Sequence, residues 1–127
     1  MPIRYTFDRL HRRLVTHADG VLTFREINAH LDTEQRNRDL DVPELIDARS
    51  ATTDVTTDQV QRLVDRAVGM LRVVDLGATA IVTTNAALYG MAQMYSRLAG
   101  RAGIPADVFR DLDAASRWLN QFSRDDD

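Results

Sequence analysis

The sequence predicts an α/β domain with a mixed five-stranded sheet. An N-terminal antiparallel hairpin comes first, three parallel strands follow, and four helices complete the order ββαβαβαβα. Three observations carry this. Residues 3 to 8 alternate apolar and polar at the period of a half-buried strand. Two Thr-x-x-Glu/Gln capping boxes, at Thr23 and Thr56, each open a stretch of helical periodicity. Short β-branched runs then alternate with helical segments, the pattern of strands joined by helical crossovers.

Each element has a local reason. Ile3, Tyr5 and Phe7 alternate with Arg4, Thr6 and Asp8, and the run 13–18 follows after the polar link 9–12, so the two strands close a hairpin that Asp19-Gly20 ends. Thr23 caps a helix whose apolar stripe is Phe24, Ile27 and Leu31, and the polar stretch 35–41 before Pro43 reads as a loop. Residues 44–48 form a short strand around Leu45 and Ile46. Thr56 opens a longer helix striped by Val60, Leu63, Val64, Ala67, Leu71 and Val74, with its exit at Gly77. Residues 79–83 are a buried strand by their Ala-Ile-Val content. Thr84 or Asn85 caps the third helix, which Gly100 to Gly103 breaks. Residues 106–110 supply the last strand, and Asp111 caps a final helix with Leu112, Ala115, Leu119 and Phe122 on one face. One domain over 1–122 and a disordered tail over 123–127 are expected.

Composition bounds the function. At 127 residues and 44% hydrophobic, the chain is long enough to bury a core without staples, and it has no cysteine, which excludes disulfides, thiolate metal sites and cysteine nucleophiles. No apolar run approaches the roughly 18 residues of a membrane span, so a soluble cytoplasmic protein without membrane insertion is expected. All 16 basic residues are arginine and 16 of the 19 acids are aspartate, yet the two are interleaved and the net charge is −3. Without a basic stripe, nucleic acid is not expected as a partner.

Catalytic machinery is not visible. His11, His17 and His30 show no metal-type spacing and no carboxylate joins them into a motif, so no metal and no cofactor are expected. Ser50, Ser96, Ser116 and Ser123 lack a nucleophile-elbow pattern, and no glycine-rich phosphate loop occurs. The expectation is a protein that is not an enzyme.

Two regions remain as binding candidates. Ligands of open α/β sheets sit beyond the carboxyl ends of parallel strands, where Asp47, Arg49, Asn85 and Arg110 would gather as an anion or ligand edge; the same residues also read as caps, turn formers and ion pairs. The third helix carries Tyr89, Met91, Met94 and Tyr95, an adaptable surface that would serve as an interface, most simply of a homodimer, or as a core face against the sheet.

The hairpin, Leu-Ile-Asp-Ala-Arg (45–49), Tyr-Gly-Met-Ala-Gln-Met-Tyr (89–95) and Val-Phe-Arg-Asp-Leu-Asp (108–113) with Ala115, Trp118 and Leu119 resemble bacterial SpoIIAA-like proteins. These small, largely uncharacterised proteins stand near STAS domains, the sulphate transporter and anti-sigma factor antagonist group, and near the CRAL-TRIO lipid-transfer fold. The resemblance implies a STAS-like sheet and a non-enzymatic regulatory module acting through contacts with an unidentified protein partner. In STAS regulators a helix beginning Asp-Ser-Ser-Gly carries a phosphorylated serine; counting on from Asp47 places Thr56 and Thr57 on the two serines, with Val55 in place of the aspartate and Asp58 in place of the glycine. Thr56 and Thr57 are therefore candidate phospho-acceptors by resemblance. The lipid-transfer relatives imply the alternative, a carrier or sensor of a small lipophilic or anionic ligand.

Overall fold

A computed structural model describes residues 3–122. The expected tail over 123–127 lies outside the described residues. The elements run β1 (Ile3–Asp8), β2 (Arg13–Leu22), α1 (Phe24–Arg36), β3 (Glu44–Thr53), α2 (Thr57–Leu71), β4 (Thr79–Val82), α3 (Ala86–Arg101), β5 (Ala106–Phe109) and α4 (Leu112–Asn120). The sheet has the order β1-β2-β3-β4-β5, with β1 antiparallel to β2 and every other pair parallel. No helix of the described residues is long and apolar enough to cross a membrane.

Sequential strand order has a direct consequence for the layers. Right-handed crossovers that all step in one direction lay their helices on the same face of the sheet. Side chains of α1, α2 and α3 accordingly share one cavity with Thr16, Glu44, Ile46 and Ile81 of the sheet. After β5 the chain folds back over the opposite face, where Ala115 and Leu119 of α4 pack on Leu45, Ala80 and Val82. Neighbouring strand residues thus divide cleanly: Glu44 and Ile46 face the three helices, Leu45 faces α4. Arg13, also on the α4 side and 3% exposed, donates to Ser116 Oγ and Asn120 Oδ1, tying β2 to the last helix.

Several boundaries differ from the sequence-based expectation. Asp19-Gly20 does not end β2. The parallel pairing with β3 shifts register between His17 and Asp19, Gly20 takes φ of 71°, and pairing resumes from Asp19↔Ser50 to Leu22↔Thr53. A bulge absorbs the turn signal, and β3 is extended by the same pairing to Thr53, whose hydroxyl donates to the Leu22 carbonyl at 2.7 Å. Helix α1 continues into the polar stretch expected as loop, to Arg36. Helix α2 stops at Leu71, short of Gly77, and leaves Val73 77% exposed. Both capping boxes and the Asn85 and Asp111 caps form as their sequences predict.

Candidate functional site

The polar residues that stand out are those on an apolar stripe. Ile27, His30, Leu31 and Glu34 follow one another at helical spacing on α1, and all four line the cavity between the sheet and α1 to α3. Opposite them, Thr16 of β2 and Glu44 at the start of β3 rise from the sheet face. His30, Glu34 and Glu44 meet there, with side chains 9%, 4% and 8% exposed.

Their contacts are close. His30 Nε2 is 2.9 Å from Glu44 Oε2 and 3.3 Å from Glu34 Oε2. The hydrogen bond goes to Glu44, which also accepts from Thr16 Oγ1 at 2.5 Å. Glu34 Oε2 is buried and has no hydrogen-bond partner; its nearest donor is the same His30 nitrogen, whose hydrogen bond goes to Glu44. The edge of the Tyr5 ring meets the imidazole at 5.4 Å between centroids and 84° between planes. Tyr5 in turn donates its hydroxyl proton to Asp39 at 3.1 Å and accepts from Asn37 at 2.7 Å, so the turn after α1 is fastened beside the triad.

Electrostatics follow from burial and pairing. Burial opposes the imidazolium, but the contacts with Glu34 and Glu44 outweigh it and push His30 up to about 10. Burial drives Glu34 up to about 8, with the His30 contact opposing and the Glu44 charge adding to the rise. Glu44 is held below the usual carboxylate range despite its burial, because His30, Glu34 and Thr16 all stabilise its ionised form. The His30–Glu44 pair is thereby held in its charged form, beside a Glu34 whose burial favours the neutral acid. Tyr95 is pushed up to about 12 by burial and by the Glu44 charge.

The rest of the wall is mostly apolar, with Thr16, Asp39, Thr53 and Thr79 the other polar residues along it. The cavity has a volume of about 190 Å³, and Ala18, Leu22, Ile46, Val60, Leu63, Leu88 and Met91 are among the residues around it. A cavity of roughly 150 Å³ with such a lining accepts a benzene-sized molecule.

No family model matches the chain, and no curated protein matches it. A solved structure from Shewanella loihica PV-4, described as an uncharacterized protein from the DUF3478 family with a SpoIIAA-like fold, matches over 92% of this chain and 93% of its own. The TM-score is 0.54 at 19% identity. The fold is SpoIIAA-like. At that identity the likeness concerns the fold alone.

The SpoIIAA-like frame distributes the residues singled out from sequence. The Arg49 guanidinium donates two hydrogen bonds to Asp47, both 2.9 Å, and the Arg49 backbone N–H a third at 3.2 Å, which together hold the Asp47 carboxyl below its ordinary range. Asn85 caps α3 by accepting from the Leu88 N–H. Arg110 lies over the Tyr89 ring, 4.2 Å from its centroid. The strand-end residues are thus engaged as an ion pair, a cap and a cation–π contact. Thr56 Oγ1 accepts from the Gln59 N–H as the cap of α2, while Thr57 is exposed in the first turn. Met91 and Tyr95 line the cavity, apart from Tyr89 under Arg110, and Met94 is half-buried.

The expectation that no carboxylate joins a histidine is corrected. Glu34 stands one helical turn after His30, and the fold brings Glu44 to both. Two signals in the sequence point that way. His30 and Glu34 occupy positions i+3 and i+7 from Ile27, where an amphipathic helix places apolar residues. The chain has only three glutamates; Glu26 completes a capping box and the other two are the triad's.

Proposed function

We propose that the protein is a binding module, a carrier or sensor, for a small molecule with an apolar body and one polar end. The observation that carries this reading is the cavity of about 190 Å³, apolar along most of its wall and bounded at one place by His30, Glu34 and Glu44. Small-ligand sites combine an apolar lining with a few convergent polar groups. The volume lies below the roughly 300 Å³ at which drug-sized pockets begin, which selects a ligand of one or two small rings or a short branched chain. A regulatory role through protein contacts draws less support, since Met91 and Tyr95 of its expected interface contribute to the cavity wall.

Titration with indole, followed by amide chemical shifts, tests the reading. Shifts should concentrate at Ala48, Ala92 and Leu63, which border the cavity, and Ala92→Leu should weaken them by filling the space. Native mass spectrometry of freshly purified protein should also retain a ligand mass. Bare protein together with no indole response at these amides sinks the reading.

A further inference from the structure

Among the described residues, His30, Glu34 and Glu44 offer one imidazole nitrogen and two carboxylate oxygens that lie within 4.8 Å of one another. The elements holding them are regular: His30 and Glu34 are one turn apart on α1, and Glu44 is anchored at the first position of β3, between its pairings with Leu14 and Thr79. An i,i+4 pair on one helix face with a third donor from elsewhere is an arrangement that converges on a single ion. A second and independent observation concerns Glu34. Its Oε2 is buried and unpartnered, in a residue 3% exposed, and it borders the cavity. A buried carboxylate oxygen without a hydrogen bond costs stability, and the one donor near it, His30 Nε2, is already bonded to Glu44.

We propose that His30 Nε2 and one oxygen each of Glu34 and Glu44 bind a single divalent transition-metal ion of the zinc class, with a remaining coordination position toward the apolar cavity. Metal–nitrogen and metal–oxygen bonds of about 2.0–2.2 Å place neighbouring donors a little over 3 Å apart in a tetrahedral site, close to the present spacings of 2.9 and 3.3 Å around Nε2. Two carboxylates and a neutral imidazole neutralise a dication, so no net charge is buried. One nitrogen and two oxygens select zinc, cobalt, iron or manganese over calcium and magnesium, which take oxygen ligands. Thr16 is a positioning residue here: its hydroxyl, 2.5 Å from Glu44 Oε2, orients that carboxylate from behind. The inference goes beyond the cavity reading and stands on the triad alone; the ion would add a point of attachment for the ligand's polar end.

Cobalt(II) is the probe. Full-length protein, stripped with a chelator and titrated with CoCl2, should develop visible absorption bands of a four- or five-coordinate ion, saturating at one equivalent and bleached by ZnCl2. Glu34→Gln, which keeps the size of the side chain and leaves the His30–Glu44 hydrogen bond in place, should abolish the bands with the circular dichroism spectrum unchanged. Thr16→Val should bind cobalt roughly 10–100-fold more weakly with the band shape unchanged. His11 and His17 pair with Asp8 and Asp47 at the surface, and the double variant His11→Asn/His17→Asn should titrate like the parent. Absence of bands in the parent overturns the proposal, as does their survival in Glu34→Gln or their loss in the surface double variant. None of these readings depends on an organic ligand, so failure of the metal site leaves the cavity reading to its own indole test.

Discussion

Glu34 and Glu44 flank the same imidazole nitrogen, yet only Glu44 is hydrogen-bonded to it: Glu44 Oε2 accepts from His30 and Thr16, while Glu34 Oε2 is buried with no hydrogen-bond partner. The two acids should therefore respond oppositely to removal. In metal-free protein Glu44→Gln takes the counter-ion from a buried imidazole and should cost about 3 kcal/mol in urea unfolding. Glu34→Met replaces an unsatisfied polar group by an apolar one of similar size and should leave stability unchanged or raise it by up to roughly 1 kcal/mol. Equal losses in the two variants would make Glu34 a structural partner of the pair. The expected asymmetry marks it as a residue kept for something other than folding.

The same triad sets a pH dependence for the chelator-treated protein. His30 rises from 6.5 to about 10 on folding, so its contribution is complete below pH 6.5 and lost as pH climbs through 10. Glu34 rises from 4.5 to about 8, so the folded state favours its neutral form and loses stability as pH increases from 4.5 toward 8. Glu44 moves the other way; its contribution is present above 4.5 and disappears on acidification through its lowered folded value. Of the groups facing them, Tyr5 and Tyr95 are both held above the ordinary tyrosine value, chiefly by burial. The melting temperature should peak at about pH 5 and fall toward pH 10. Glu34→Gln should flatten the lower half of that decline, and a parent profile that is level or rising from pH 5 to 10 contradicts the account.

How much of this was legible in the sequence depends on whether the signal was local. The caps at Thr23, Thr56, Asn85 and Asp111 are written in three or four consecutive residues, and all four form. The order of elements follows from period and β-branching and was readable for the same reason. Strand ends were not, because β2 and β3 lengthen each other by pairing past a register shift between His17 and Asp19, an interaction between segments about 30 residues apart. The triad stands between these cases. His30 and Glu34 were visible as polar residues on an apolar stripe, but Glu44 joins them only because β3 is a neighbour of β2 on the face that α1 covers. At the strand ends the reverse holds: Arg49 and Arg110 looked available in sequence, and the structure engages one with Asp47 and the other with Tyr89.

Gly77 shows how close packing restricts a position that carries no chemistry. It lies between α2 and β4, its N–H donates to the Leu40 carbonyl at 2.9 Å, and a Cβ there would run into the Val42 carbonyl. The obstacle is backbone leading into β3, which cannot swing aside as a side chain would. Gly77→Ala should cost about 2 kcal/mol by overpacking. Gly69, inside α2 with nothing within 4 Å of a new Cβ, provides the contrast: Gly69→Ala should stabilise by roughly 0.5–1 kcal/mol through helix propensity. Urea midpoints of the two variants check both signs, and a neutral Gly77→Ala would mean that the 40–43 segment yields.

Thr56 and Thr57 are adjacent candidates for modification with different structural duties. Thr56 Oγ1 accepts from the Gln59 N–H at 3.2 Å, and the Gln59 side chain accepts from the Thr56 N–H at 3.0 Å, a reciprocal cap that satisfies two free donors of α2. Thr57 is exposed in the first turn, where negative charge is favoured by the helix dipole. Thr56→Ala should cost about 1 kcal/mol. Thr57→Ala should change little, and Thr57→Asp should stabilise by up to roughly 0.5 kcal/mol, the gain reduced by the neighbouring Asp58. Thermal melts at low salt resolve the three. A phosphate on Thr57 would then be accommodated with the cap intact, whereas one on Thr56 would break it. If Thr57→Asp destabilises as much as Thr56→Ala, the end of α2 does not tolerate added charge and neither threonine suits a phosphate.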